Sequence, residues 1–297
     1  TDQFGGQRWF VRDRLSLEDE SFLQGRELSS VELLAAGKSN TNYKLILGDG
    51  QRFVLRLYSH GDAQREVYVM GLARDLVPVP QEIHRGENWS VFSFMDGELL
   101  ERLPQHSGAA ADALARLSST VFQKPGWIDS DGSVSPFPFG GVRGFIAECL
   151  DKAGVRAWIG EEYVVRIEQI VKVESGRLEE LESECGLVHG DFNPTNILIS
   201  NGAVSGVLDW EYCHSGTPYM DIGNLLRHTP AEYHGLIQSG LESGGMRLPD
   251  DWAKRAQLVD LTSHLEFLTS NRSDGFKQQC ADRVHEFTEI FGGRASG

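Results

Sequence analysis

The chain has 297 residues, enough for one large domain or two smaller ones, and 40% hydrophobic content is sufficient for a proper core. Its 28 basic and 43 acidic residues give a formal net charge of -15, which argues against a nucleic-acid partner because that needs a basic face. An acidic balance is compatible with a cationic substrate, although a solvated acidic surface is the plainer explanation.

Cys149, Cys185, Cys213 and Cys280 show no CxxC spacing, so neither a zinc site nor a disulfide framework is expected, and free thiols fit a reducing cytoplasm. The opening residues TDQFGGQRWFVRD contain no apolar core, so no signal peptide is expected. No apolar run approaches the ~18 residues a membrane span needs, so no membrane partner is expected either.

The first third reads as strands. Val31 to Ala36 is a short apolar run, and YKLIL (Tyr43 to Leu47) and FVLRLY (Phe53 to Tyr58) alternate and are rich in β-formers. GDGQ between them suits a hairpin turn. Asp62 to Leu76 has helical spacing, with Asp62 as its expected N-cap and Pro78 and Pro80 beyond its end. Strands are then expected around Gln81 to Arg85 and Trp89 to Met95. Beyond residue 96 helices dominate: Ser107 to Phe122, Phe145 to Ala157, Glu161 to Leu181, Trp252 to Leu268 and Phe276 to Phe291. Brief β material is expected at Gly186 to Val188, Asn196 to Ile199 and Val204 to Leu208, and a long loop at Pro125 to Gly144. The composition shift divides the chain into a small β-rich lobe, 1–95, with five strands and one helix, and a larger helical lobe, 96–297. Such an interface is a favoured place for a ligand.

Several motifs fail. Gly37-Lys38-Ser39 resembles the end of a P-loop, but the Gly required five residues earlier is Glu32. There is no strict GxGxxG, no GxSxG and no HExxH, and DSDGS at 129 to 133 lacks the EF-hand ligand pattern.

HGDFNPTNIL, at 189 to 198, is different: it places a His, an Asp and two Asn between apolar stretches. Asp191 and Asn196 form D-x-x-x-x-N. In the kinase template such an Asp accepts or orients the attacking hydroxyl, and such an Asn binds magnesium. A second metal ligand is expected at another strand end, and VLD supplies Asp209 there. Mg²⁺ prefers one or two carboxylates with phosphate oxygens and water. Each residue alone would read as a turn cap or a satisfied buried His; the combination is far more restrictive.

HGDFNPTNILI followed by VLDWE resembles the aminoglycoside phosphotransferase and choline kinase-like superfamily of small-molecule kinases. The resemblance runs over roughly 30 to 290 and is strongest over 187 to 226. It implies an α+β, bilobal, protein kinase-like fold. It also implies ATP- and Mg²⁺-dependent phosphorylation of a hydroxyl on a small molecule, with GTP as the alternative nucleotide. By resemblance, Asp191 is catalytic and Asn196 and Asp209 hold magnesium. His189 and Asp221 support the loop, with a helix N-cap as the competing role for Asp221. The loop Gly37 to Asn42, including Ser39, Asn40 and Thr41, would cover the phosphates, and Glu66 would pair with the phosphate-binding cation. Phe94, Met95 and Asp96 would form the linker that holds adenine. The family's phosphate-binding Lys is replaced by Arg56, a departure from the family pattern; Lys44, on the neighbouring strand, is the weaker alternative. The expected acceptor is cationic and aminoglycoside-like, for which Glu211, Glu232 and Glu266 are candidate contacts. Choline, ethanolamine, homoserine and amino sugars fit the same machinery, and a nucleotide-binding pseudoenzyme is the reading from another class. No DFG or APE signature of a protein kinase is present. Oligomeric state is not legible in the sequence.

Overall fold

The computed structural model describes residues 20–23, 25–36, 40–58 and 63–292. Ser39, with the rest of the Gly37–Ser39 turn, and the Asp62 N-cap lie outside the described residues.

A short helix, α1 (Glu20–Leu23), precedes β1 (Leu28–Ala36), β2 (Asn40–Leu47) and β3 (Arg52–Tyr58). After these come α2 (Ala63–Ala73), β4 (Glu82–Arg85) and β5 (Trp89–Ser93). The five strands form one antiparallel sheet in the order β1-β2-β3-β5-β4. Because side chains alternate across a strand, Tyr43, Leu45 and Leu55 point to one face, where they join Phe22, Trp89 and Val91 in a small core. Arg56, one residue on, emerges on the opposite face, against α2. That helix buries Glu66, Val69, Met70 and Ala73, the spacing of a single helical stripe. Its apolar members belong to the large core of the helical region, which also takes in Val77, Val79, Phe92 and Leu100. The carboxylate of Glu66 turns to Arg56 and Tyr58 of the sheet.

The remainder is mainly helical. β6 (Glu98–Leu99), α3 (Ser107–Ser118), β7 (Gly126–Ile128) and β8 (Val134–Ser135) lead into α4 (Val142–Leu150) and α5 (Ala153–Ile159). Next are α6 (Glu161–Val173), α7 (Ser175–Ser183), β9 (Gly186–Val188), β10 (Ile197–Ser200), β11 (Ala203–Val207) and β12 (His214–Gly216). α8 (Tyr219–His228), α9 (His234–Ser243), α10 (Trp252–Thr269) and α11 (Asp274–Gly292) complete the chain. β10 lies between β11 and β6, and β12 lies between β7 and β9. No helix among the described residues is long and apolar enough to cross a membrane.

Four sequence expectations need correction. The helix over Phe145 to Ala157 is two helices, because Lys152 is extended. The helix over Glu161 to Leu181 breaks at Glu174, before Ser175-Gly176, a pair of weak helix formers. α8 and α9 were not expected. Polar residues interrupt the buried face of α8, and two Gly and two Ser dilute α9. Finally, the loop at Pro125 to Gly144 contains β7 and β8, strands too short to show a period.

Candidate active site

The site is assembled where β9 ends. His189 N–H and Gly190 N–H donate to Asp221, at 2.6 Å and 2.9 Å, so one carboxylate from the first turn of α8 holds the turn leaving the strand. Burial raises the Asp221 pKa to about 7, against the pull of those two backbone donors. α8 is capped at Pro218, so Asp221 is a brace and not an N-cap. Gly190 has φ +83°, and a Cβ there would sit 2.4 Å from the Tyr212 carbonyl oxygen, so the turn requires glycine.

His189 is fully buried. Its Nδ1 lies 3.2 Å from Asp191 N–H and must accept, so Nε2 carries the proton and donates to Leu208 O at 3.0 Å. Burial lowers its pKa, which keeps the ring neutral. The ring thereby links the Asp191 loop to the residue before Asp209.

Both Asp191 carboxylate oxygens receive amide donors, Oδ1 from Asn193 at 2.7 Å and Oδ2 from Asn196 at 2.9 Å. Asn196 also donates to the Asp191 carbonyl at 3.0 Å, and Leu208 N–H donates to Asn196 O at 2.8 Å. Asp209 follows with φ +66°, the left-handed region, which is uncommon outside Gly and costs about 1–3 kcal/mol.

Arg56 reaches this point from the sheet. Its guanidinium pairs with Glu66 and with Asp209 Oδ1, the latter at 2.5 Å, and Nε donates to Asn42 at 3.2 Å. Burial alone would lower its pKa, but the two carboxylates raise it above the ordinary value. Tyr58 donates to the other Glu66 oxygen at 3.1 Å. Arg56 therefore bridges the helix of the N-terminal region to the strained Asp209. Lys44 is elsewhere: it pairs with Glu32 at 3.5 Å and lies 5.2 Å from the Phe94 ring centre.

Arg65, on α2 beside Glu66, donates to Glu211 O and Ile128 O, each at 2.8 Å, and to Cys213 O. It fixes α2 against the segment after Asp209, and the sequence offered no sign of it. Asn40, the first residue of β2, donates to the Glu211 side chain at 3.2 Å. Thr41 is half-buried in β2 opposite Leu57. After β5, Phe94 is flanked by Lys44 and Arg52, and Met95 lies against Gly206. Asp96 makes a bidentate pair with Arg52 at 2.8 Å and 2.7 Å, and its carbonyl accepts from Ser205.

A cavity of about 870 Å³ opens on the other side of Asp191. Gly190, Asn193 and Tyr212 border it near Asp191, and the other walls include residues 125–141, β12, α4, α7, α8, α10 and α11. Glu266 lines it. Glu211 and Glu232 do not: Glu211 is held by Asn40, and Glu232 is exposed on a short 3-10 turn. Asn224 and Arg227 also line the cavity; Asn224 faces Asp191 and Arg227 holds Asn224, although only their place in GNLLR, after Asp221, hinted at them.

Residues 30–258 match the model of the phosphotransferase enzyme family. The chain is 24% identical over 209 residues to a homoserine kinase from Methylobacillus flagellatus, covering 65% of this chain and 61% of that protein, so the match spans about three fifths of that relative's length. Among solved structures, a macrolide 2'-phosphotransferase from Brachybacterium faecium is similar, with TM-score 0.66 and 16% identity, over 93% of this chain and 96% of that one. A thermostable mutant of aminoglycoside phosphotransferase APH(4)-Ia in ternary complex with AMP-PNP and hygromycin B is also similar. Its TM-score is 0.62 at 18% identity, over 91% of this chain and 96% of that one. At these identities the structural likenesses establish the fold.

Proposed function

We propose, on the premise that this chain belongs to the phosphotransferase enzyme family, that it transfers the γ-phosphoryl group of ATP to a hydroxyl of a small molecule. One observation carries this reading: both oxygens of Asp191 are oriented by amides at the mouth of a cavity, while Arg56 and Asp209 meet behind the same loop. In this reading residues 1–95 are the nucleotide lobe and 96–297 the acceptor lobe.

The donor set fits a hard divalent cation. Asn196 turns its NH₂ to Asp191, which leaves its amide oxygen as the free end, and Asp209 gives only Oδ1 to Arg56. An amide oxygen and a carboxylate oxygen suit Mg²⁺. When bound, the ion would neutralise phosphate charge. Among the described residues there is no cluster of three or more His, Cys, Asp or Glu, so phosphate oxygens and water would complete its shell.

The chain's own residues do the rest by positioning and charge. Asp191 accepts the hydrogen bond of the acceptor hydroxyl and takes its proton as the oxygen attacks. Asn193 and Asn196 hold that carboxylate in one orientation. Arg56 presents a permanent positive charge to the phosphates, anchored by Glu66, which Tyr58 holds in turn. Its fork allows it to hold Glu66 and Asp209 together, which a single ammonium does less well.

An ATP-consumption screen over macrolides, aminoglycosides, amino alcohols and amino sugars tests the reading. Wild-type protein is expected to turn over at least one hydroxylated compound, and Asp191→Ala to lose activity by about 10²–10⁴-fold while still showing an Mg-ATP thermal shift. A nucleotide-induced shift with turnover of nothing favours the pseudoenzyme.

A further inference from the structure

We propose that the acceptor is a ring-bearing hydroxylated molecule of drug size, largely apolar and with at most one positive charge, bound against the aromatic walls of the cavity beside Asp191. The inference rests on the reading of Asp191 as the group that holds the acceptor hydroxyl.

Size is the first argument. The cavity measures about 870 Å³, and its lining includes none of Arg56, Asn196 or Asp209, so this space is separate from the nucleotide side. Pockets of about 300–1,000 Å³ hold drug-sized ligands. Homoserine has about eight non-hydrogen atoms; even at the ~30 Å³ that each water takes in the liquid, it fills roughly 240 Å³. A small amino alcohol leaves most of the cavity wet.

The second argument is the walls. Trp127, Phe137, Phe139 and Phe145 come from β7 to α4, and Phe267 and Phe276 from α10 and α11. Phe137 and Phe139 are stacked, with centroids 5.2 Å apart and planes 8° from parallel, and Trp127 meets Phe137 edge-on at 5.3 Å. These rings are only half-buried, and all six line the cavity. A preformed ring panel suits an apolar or ring-containing body.

Charge is the third. A polycation needs several free carboxylates, but Glu182 is paired with Arg143 at 2.6 Å, and Asp191 is held by amides. That leaves Glu101 and Glu266, both exposed. Against them stands Arg272, which lies 4.5 Å from the Phe276 ring centre and 5.0 Å from that of Phe267, and has no ion-pair partner among the described residues. His214 and His228 add no charge at neutral pH; burial lowers each to about 4. A free guanidinium on the wall repels a second positive charge on the ligand. The cationic, aminoglycoside-like acceptor expected from family resemblance therefore matches this cavity poorly.

The test is Trp127 fluorescence, with Trp127→Phe as the control that identifies the signal. The nucleotide-free full chain is titrated with a 14-membered macrolide, p-nitrophenyl glucoside, hygromycin B and homoserine, with calorimetry in parallel. At least one of the two ring compounds is expected to bind saturably and at least tenfold tighter than hygromycin B and homoserine. Phe139→Ala is expected to weaken that binding by about tenfold or more and to leave homoserine unaffected. Hygromycin B or homoserine binding as tightly as the ring compounds overturns the proposal, as does no saturable response to either ring compound. The wild-type ranking decides even if the variant does not fold. Turnover with ATP is measured separately. Ring compounds that bind but are never phosphorylated, together with no other turnover, sink the phosphotransferase reading and leave the acceptor class standing. Turnover confined to homoserine or hygromycin B does the reverse.

Discussion

Asn224 turns its amide NH₂ towards Asp191 because Arg227 occupies its amide oxygen. Arg227 Nη2 donates to Asn224 Oδ1 at 2.8 Å, and Asn224 Nδ2 then stands 3.5 Å from Asp191 Oδ1. Arg227 is in turn paired with buried Asp260, whose other oxygen meets His264 Nε2 at 3.3 Å. Gly223 makes this possible: a Cβ there would lie 2.9 Å from both Ala256 O and the Asp260 Cβ, so α8 and α10 approach closely. Arg227 is thus a positioning residue, acting on Asp191 through Asn224.

Removing Arg227 strands the buried Asp260 carboxylate. Arg227→Met is expected to cost about 3–5 kcal/mol in urea unfolding, and Arg227→Met/Asp260→Leu to recover most of it. In kinetics, Arg227→Lys is expected to lower kcat about tenfold with little change in KM for ATP. Equal loss in both parameters contradicts a positioning role.

Arg56 stands between two carboxylates, and Glu66 is only 3% exposed. Arg56→Met is expected to destabilise the fold by about 3–5 kcal/mol. Arg56→Lys keeps the charge but loses the fork, so a smaller loss of stability and a raised KM for ATP are expected. Unfolding curves and ATP titrations measure the two effects separately.

Asp221 accepts two backbone N–H groups in the buried turn. Asp221→Ala leaves both without an acceptor, at about 1–3 kcal/mol each. Asp221→Asn retains one acceptor oxygen and is expected to lose about half as much. Thermal melts rank the two variants, and both are expected to lose kcat because the Asp191 loop is no longer held.

His214 gives stability a pH dependence of defined sign. Burial lowers its pKa to about 4 in the folded chain, from ~6.5 when unfolded. Between those values the unfolded chain binds the extra proton, so stability falls as pH drops through this window. The loss is on the order of 3 kcal/mol once pH is below both values. Asp221, raised to about 7, works in the opposite direction, losing stability as pH rises towards 7. The difference between wild type and His214→Phe isolates the histidine: it is expected to shrink between pH 6.5 and 4. A difference constant with pH refutes the assignment.

Reading from sequence succeeded where a periodic pattern and a short motif coincide. The five strands and α2 followed from alternation and helical spacing, and their bounds moved by only a few residues. Asp191, Asn196 and His189 lie within ten residues, so local chain geometry brings them together. Arg65, Asn224, Arg227 and Asp260 were not legible as site residues, because each acts through a partner between 33 and 148 residues away, except where α8 joins Asn224 to Arg227. Glu232 shows the converse: an acidic residue in the expected region whose backbone turn faces solvent.

The sequence by itself determined the polar residues of the loop, the order of the first elements up to β5 and the family, since these depend on residue type and spacing along the chain. Tertiary structure decided what surrounds the loop. It set Arg56 between Glu66 and Asp209, turned Asn224 towards Asp191 and gathered Trp127, Phe137, Phe139, Phe145, Phe267 and Phe276 around one cavity. The physical reason is that charge pairing and ring contact depend on distance in space, and a chain that folds on itself brings together residues whose spacing in sequence carries no signal.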